Sequence, residues 1–301
     1  MTAALKASGV ALSADALIAL RRVALIAEAS PVVAALPGGF ATRRKGHGLE
    51  VTDMREYAPG DDIRHLDPGT TARTGRLHVR QFQEERDRVC LLVADFRPAM
   101  FWGVQRAFRS VAAAEALALI GWNVVESGGR VGLLAITSQD TLVVPPRGRT
   151  RGMLDVIGGM AQAHDLGLAT MRTGEAKEPA LDQALSRADR LVPPGSELVI
   201  ASGFDTPGVG FADRIDALAR RRHPRLVLIT EDMTAHMPRG RYPIRTAEGQ
   251  RIRLDLGTNR STSDTAFRPL FGRSALVLDA GETVEKMARR LKSAQPTERA
   301  A

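Results

Sequence analysis

Short apolar runs alternate with helical stripes along most of this chain. Val89–Ala94, Val131–Ile136, Glu197–Ala201 and Leu226–Thr230 have the mainly apolar character that a strand buried on both faces requires. Between them, Val104–Val125, Arg149–Gln162, Pro179–Leu191 and Phe211–Arg221 carry helical spacing. Alternating strands and helices imply an α/β fold, a mostly parallel sheet with helices on both faces. Thr141–Val144 predicts a further short strand, ended by Pro145-Pro146. Pro243–Thr246 and Arg251–Leu256, around Glu248-Gly249, predict a hairpin, and Ala275–Leu278 a last strand. Asp279 with Glu282 resembles a capping box opening a helix through Val284, Met287, Ala288 and Leu291.

The chain before residue 89 reads differently. Leu17, Leu20, Val23, Ala24 and Ala27 form one helical stripe over residues 13–29, with Ser13 as N-cap. Pro31 and then Pro37-Gly38-Gly39 end it. Residues 40–89 are dense in charge and punctuated by Gly46, Gly48, Pro59, Gly60, Pro68, Gly69 and Gly75, with an extended piece at Leu77–Gln83. This predicts turns and small strands. Three segments follow: an N-terminal helical segment (1–39), a turn-rich β segment (40–88), and an α/β domain with C-terminal hairpin and helix (89–295).

Composition narrows the function classes. A chain of 301 residues with 44% hydrophobic and 25% charged residues is an ordinary globular protein. Aromatics at 4% argue against a base-stacking surface. The single cysteine, Cys90, excludes an intrachain disulfide and a thiolate metal cluster, and its apolar strand makes it an inert buried thiol. The formal charge is +8, and residues 220–301 hold 17 Lys+Arg against 9 Asp+Glu, so the rest of the chain is neutral. That basic region leaves nucleic acid open as a partner, although no nucleic-acid motif accompanies it and Arg outnumbers Lys 37 to 5 throughout. The longest apolar stretches are broken by Glu28 and Pro31 and by Glu115, so no membrane span is expected, and the chain reads as cytoplasmic.

Catalytic motifs are missing. There is no phosphate-binding Walker sequence, no HExxH, no GxGxxG after a strand and no GxSxG elbow. Gly208-Val209-Gly210 is only a weak glycine match. His47, His65 and His78 are separated by 18 and 13 residues, which fits no standard zinc pattern.

One stretch is specific: Gly46-His47-Gly48-Leu49-Glu50, then Arg55-Glu56-Tyr57-Ala58-Pro59-Gly60-Asp61-Asp62-Ile63-Arg64-His65-Leu66-Asp67, then Thr71-Ala72-Arg73-Thr74-Gly75. It resembles the signature of the domain of unknown function 58 family, G-x-G-x-E-F-x(4)-R-x-Y-x-P-G-D-D-x-R-x-I-D-W, which precedes a von Willebrand factor A-like domain. Pro68 stands where that family usually has Trp. Read physically, Arg55, Arg64 and Arg73 beside Asp61 and Asp62 suit an ion-pair network holding a breaker-rich segment together. Tyr57 and the Asp61/Asp62/Arg64 group are therefore expected to be partly buried, with an acid paired to an Arg.

The resemblance also implies where a metal would sit. Von Willebrand A-like domains usually hold Mg²⁺ at the carboxyl end of the sheet through D-x-S-x-S after the first strand, a later Thr, and an S-D loop. Here those places read Asp95-Phe96-Arg97-Pro98-Ala99, Glu178-Pro179, and Ser202-Gly203-Phe204-Asp205. Asp95 matches; Arg97, Ala99 and Gly203 do not, and Asp205 lies two residues beyond the acid position. A degenerate site with no metal and no cofactor is expected, with Arg97 placed to pair with Asp95.

The resemblance further implies a non-enzymatic role beside a MoxR-type AAA+ ATPase, in assembling or remodelling a client protein. Family members often carry N-terminal membrane helices, where this chain has an amphipathic helix. Two other classes stay open: a nucleic-acid binder using the basic region, and a hydrolase using Asp61, Asp62 and a histidine such as His65.

Overall fold

The computed structural model describes residues 7–29, 45–59, 61–83, 88–173, 177–231, 240–245, 251–256 and 265–294. In chain order the elements are α1 (Ala14–Ala29), β1 (Lys45–Glu56), α2 (Pro68–Thr74), β2 (His78–Gln83), β3 (Val89–Phe96), α3 (Arg109–Glu126), β4 (Arg130–Thr137), β5 (Thr141–Gly148), α4 (Arg149–Thr173), α5 (Leu181–Leu185), α6 (Ala188–Leu191), β6 (Glu197–Ser202), α7 (Phe211–Ala219), β7 (His223–Thr230), β8 (Gly240–Arg245), β9 (Arg251–Leu256), β10 (Phe267–Leu270), β11 (Arg273–Asp279) and α8 (Val284–Ser293). They divide into two compact units, one holding β1, α2 and β2, the other holding α1 and the elements from β3 onward.

The larger unit is built on a seven-stranded sheet of order β10-β11-β7-β6-β3-β4-β5. The pairs from β11 to β4 are parallel, and both edge strands, β5 and β10, run antiparallel. All eight residues of β3 are buried, as its apolar run requires. Alternate side chains divide between two cores. Cys90, Leu92 and Ala94 face the layer of α1, α3, α4 and α8, and Leu91 and Val93 face that of α5, α6 and α7. Helix α3 is buried nearly all round, because the sheet covers one side and α1 the other. The Trp122 indole N–H accordingly finds a buried partner in the Leu17 carbonyl, at 3.0 Å.

Several boundaries differ from the sequence pattern. Strand β5 continues through Pro145 and Pro146, which is tolerated because β5 is an edge strand and because the pair falls at the register shift between Val131 and Leu133, where the ladder is already interrupted. Helix α3 begins at Arg109 rather than Val104, and α4 runs on to Thr173. Residues 179–191 form two short helices instead of one. Thr283, not Asp279, caps α8; its side chain accepts from Lys286 N, while Asp279 Oδ1 accepts the Gly281 N–H.

In the smaller unit, β1 and β2 pair antiparallel with two register shifts. Helix α2 was not expected from the pattern. It is set by its ends: the Asp67 carboxylate accepts the Thr70 N–H at 2.8 Å, Pro68 opens the first turn, and Gly75 closes the helix at φ 71°.

Candidate functional site

Sheet topology selects one place in the larger unit. From β3 the chain moves outward to β4 on one side and later returns to β6 on the other. The crevice beyond the carboxyl ends of β3 and β6 is therefore the topological switch point, where open α/β sheets place ligands. Asp95 lies at the end of β3, Ser202 ends β6, and the loops that follow carry Arg97 and Asp205.

Asp95 and Arg97 are each 1% exposed. The Arg97 backbone N–H and Nε donate to Asp95 Oδ1 at 3.0 and 2.9 Å, and Nη2 donates to Oδ2 at 2.8 Å. The Ser202 hydroxyl completes the carboxylate's set at 2.6 Å and in turn accepts the Phe204 N–H. Arg97 Nη1 donates to the carbonyls of Pro179 (2.6 Å) and Thr206 (2.8 Å) and lies 3.5 Å from Glu178 Oε1. Burial alone would lower the guanidinium's pKa; its bonds to Asp95 and the charges of Asp95, Glu178 and Asp205 outweigh this and raise it. Burial likewise raises Glu178, against the opposing Ala99 N–H and Arg97.

A second buried cation lies beside the first. Arg109, at the start of α3, pairs with Asp205 at 2.9 Å, donates from Nε to the Ile229 carbonyl, and stacks on Trp102. Phe204 adopts φ 53°, a left-handed turn uncommon for a bulky residue, just before Asp205. A Cβ at Gly203 would overlap Arg109 Nη2 and crowd Asp205. The space that an acid at position 203 would fill is thus taken by a guanidinium.

These residues do not fit the Mg²⁺ that the resemblance implies. Both oxygens of Asp95 are covered by Arg97 and Ser202, Ala99 offers no side-chain ligand, and Arg109 closes the side next to Gly203. Arg109, Trp102 and the Thr206 carbonyl were not legible as parts of this site. A lone Arg opening an Ala/Leu-rich helix is ordinarily a solvated end.

The signature residues lie in the smaller unit. Arg55 grips Asp61 with two bonds, Nη1 to Oδ2 at 2.7 Å and Nη2 to Oδ1 at 2.6 Å. These bonds, then the Ala58 N–H, hold the Asp61 carboxyl below its usual range. Tyr57 is half-buried and its N–H donates to the Leu77 carbonyl. Asp62 and Arg64 are exposed, contrary to expectation; Asp62 instead caps the short 3₁₀ turn Ile63–His65 by accepting the Arg64 N–H. Asp67 is buried and caps α2, whose last turn holds exposed Arg73. Pro59 stands exposed in the turn; Gly46, Gly48 and Glu50 lie on β1, and Gly60 lies outside the described residues. Asp61 is thus held by Arg55 and Asp62 serves as a cap, so these two carboxylates are engaged separately and not as a pair.

Among the described residues, no group of three or more His, Cys, Asp or Glu side chains is arranged to hold a metal ion, and no helix is long and apolar enough to cross a membrane.

Comparison with known proteins agrees with the signature. Uncharacterized protein Mb1516 of Mycobacterium bovis and uncharacterized protein Rv1480 of Mycobacterium tuberculosis are each 36% identical over 124 residues, 39% of this chain and 38% of theirs. The chain thus spans well under half the length of these relatives. The profile described as "Protein of unknown function DUF58" matches residues 53–276, which run from β1 through the central sheet to β11, and the chain belongs to that family.

Proposed function

We propose that this protein is a non-catalytic, cytoplasmic adaptor of von Willebrand factor A-like type, working with a MoxR-type AAA+ ATPase on a client protein. The observation that supports it best is the carboxyl edge of the sheet. Its two buried guanidiniums, Arg97 and Arg109, are spent on Asp95 and Asp205, while the same loops expose apolar side chains. Val104 follows β3, Val209 follows β6, and both are well exposed, with Trp102 half-buried between Arg109 and solvent. An edge whose buried cations are internally paired and whose loops present apolar groups suits protein docking better than bond chemistry. Titrating the purified chain into a MoxR-type ATPase, with binding heat and ATPase rate as readouts, tests this. Saturable binding that changes the ATPase rate supports the reading; no binding at protein concentrations near 100 μM, above the range of useful protein contacts, counts against it.

One observation favours a second reading. The β8–β9 register sets Arg241, Arg251 and Arg253 on one face of a two-stranded ribbon, with Pro243 and Asp255. A ribbon of this width fits the DNA major groove. Duplex binding that persists at about 0.15 M salt and weakens steeply above it would favour nucleic acid over the adaptor.

A further inference from the structure

We propose that Arg97 is the resident cation of the carboxyl edge, and that the groups around it form an oxygen-lined cage which accepts a free cation once the side chain is removed. The proposal goes beyond the adaptor reading and does not depend on it.

The need for a cation follows from Asp95. Its carboxylate closes a fully buried strand and is itself sealed from water, so it requires a counter-charge in the folded protein. Arg97 meets that need from two residues away. Its backbone N–H, Nε and Nη2 all turn onto the two carboxylate oxygens.

The other arm of the guanidinium shows that more than one ion pair is involved. Nη1 reaches the carbonyls of Pro179 and Thr206, and Glu178 stands next to it. Pro179 belongs to the segment after α4, and Thr206 to the loop after β6. One cation therefore gathers the ends of three chain segments. What it gathers is entirely oxygen: the Asp95 carboxylate, two backbone carbonyls and the Glu178 carboxylate, with the Ser202 hydroxyl behind Asp95. Hard divalent cations collect ligands of this kind. A planar guanidinium satisfies the same set by pointing separate N–H donors at fixed oxygens.

Arg109 explains why the arrangement is closed. Its guanidinium fills the volume beside Gly203, is held by Asp205 and the Ile229 carbonyl, and leaves no room for a second charge. The three carboxylates Asp95, Glu178 and Asp205 thus face two permanent cations. Loop geometry at this edge is independent of the divalent-ion concentration around the protein.

The test uses the full chain and its Arg97→Ala variant, each in EDTA, in about 5 mM MnCl₂ (above the weakest protein Ca²⁺-site range), and in methylguanidinium chloride at a similar concentration. The wild-type thermal midpoint is expected to move by less than about 1 °C among the three, since nothing binds the native state differentially. Arg97→Ala leaves a buried carboxylate unpaired and is expected to lower the midpoint by roughly 10 °C. Mn²⁺ or methylguanidinium should restore at least half of that loss, and the Asp95→Asn/Arg97→Ala double variant should show no restoration. If Arg97→Ala does not fold from EDTA, the same cations should recover soluble, folded protein on refolding. Three outcomes overturn the proposal: a stoichiometric Mn²⁺ site in the wild type that Asp95→Ala abolishes, an Arg97→Ala variant as stable as the wild type in EDTA, or a destabilised variant that neither cation rescues.

Discussion

Two glycines, one at the site and one far from it, illustrate how much turns on a single added atom. Gly203 has no room for a methyl group, because its Cβ would overlap the tip of Arg109, and that tip is held by Asp205, the Ile229 carbonyl and the Trp102 ring. Gly203→Ala is expected to cost about 1–3 kcal/mol, the usual penalty of overpacking a filled interior. Gly158 on α4 meets nothing within 4 Å, so Gly158→Ala should stabilise by about 0.5–1 kcal/mol through helix propensity. Urea unfolding of the two variants beside the wild type checks both signs. His164 adds a pH dependence. Its ring is fully buried against Phe96 and Phe101, with Nε2 at 3.1 Å from the Ser110 hydroxyl, and burial lowers its pKa from 6.5 to about 4. Above pH ~6.5 the ring is neutral folded or unfolded. As pH falls from there towards 4, only the unfolded chain takes up the proton, so stability falls; below about 4 the loss levels off near 3 kcal/mol. Urea midpoints between pH 8 and pH 4.5 should show a steeper decline for the wild type than for His164→Gln; parallel curves would mean the ring is protonated in the fold.

At the scale of elements, capping decides what apolar pattern cannot. Helix α2 has no apolar stripe and rests on Asp67, Pro68 and Gly75. Asp67→Ala should remove about 1 kcal/mol from α2, seen as a fall of roughly fivefold in amide hydrogen-exchange protection over Thr71–Gly75, while Asp67→Asn should keep most of it. Unchanged protection in Asp67→Ala would show that packing, not the cap, holds the helix. The same contrast explains what the chain revealed in advance. Strands β3, β4, β6 and β7 were legible because a strand buried on both faces must be apolar throughout. Strand β5 was read too short because its prolines end a central strand but not an edge one. Asp95 and Arg97 could be placed because they lie two residues apart at a strand end. Their closure by Ser202, Pro179 and Thr206 could not, since those contacts span 82 to 109 residues and two come from backbone carbonyls, which carry no mark in the sequence.

For the whole molecule, the question is which surface is free to meet a partner. Net charge does not answer it: the +8 excess belongs to residues 220–301, whereas the loops at the carboxyl ends of β3 and β6 pair Arg97 and Arg109 with acids. What those loops leave unspent is apolar. Val209 is fully exposed at the turn before α7, so a charge there disturbs no packing. Val209→Glu is expected to leave the thermal midpoint unchanged and, on the adaptor reading, to weaken the complex with the ATPase about tenfold or more, the scale of a central contact residue. Leu154→Glu supplies the control: Leu154 is also exposed, but at the start of α4 beside β5 and away from the carboxyl ends of β3 and β6. Equal weakening by both substitutions would point to a general charge effect. Unchanged affinity in Val209→Glu would move the docking surface away from this edge, whatever the role of Arg97. Loss confined to Val209→Glu, undiminished by EDTA, would join the two ideas: a partner docking on loops that an internal cation holds in place.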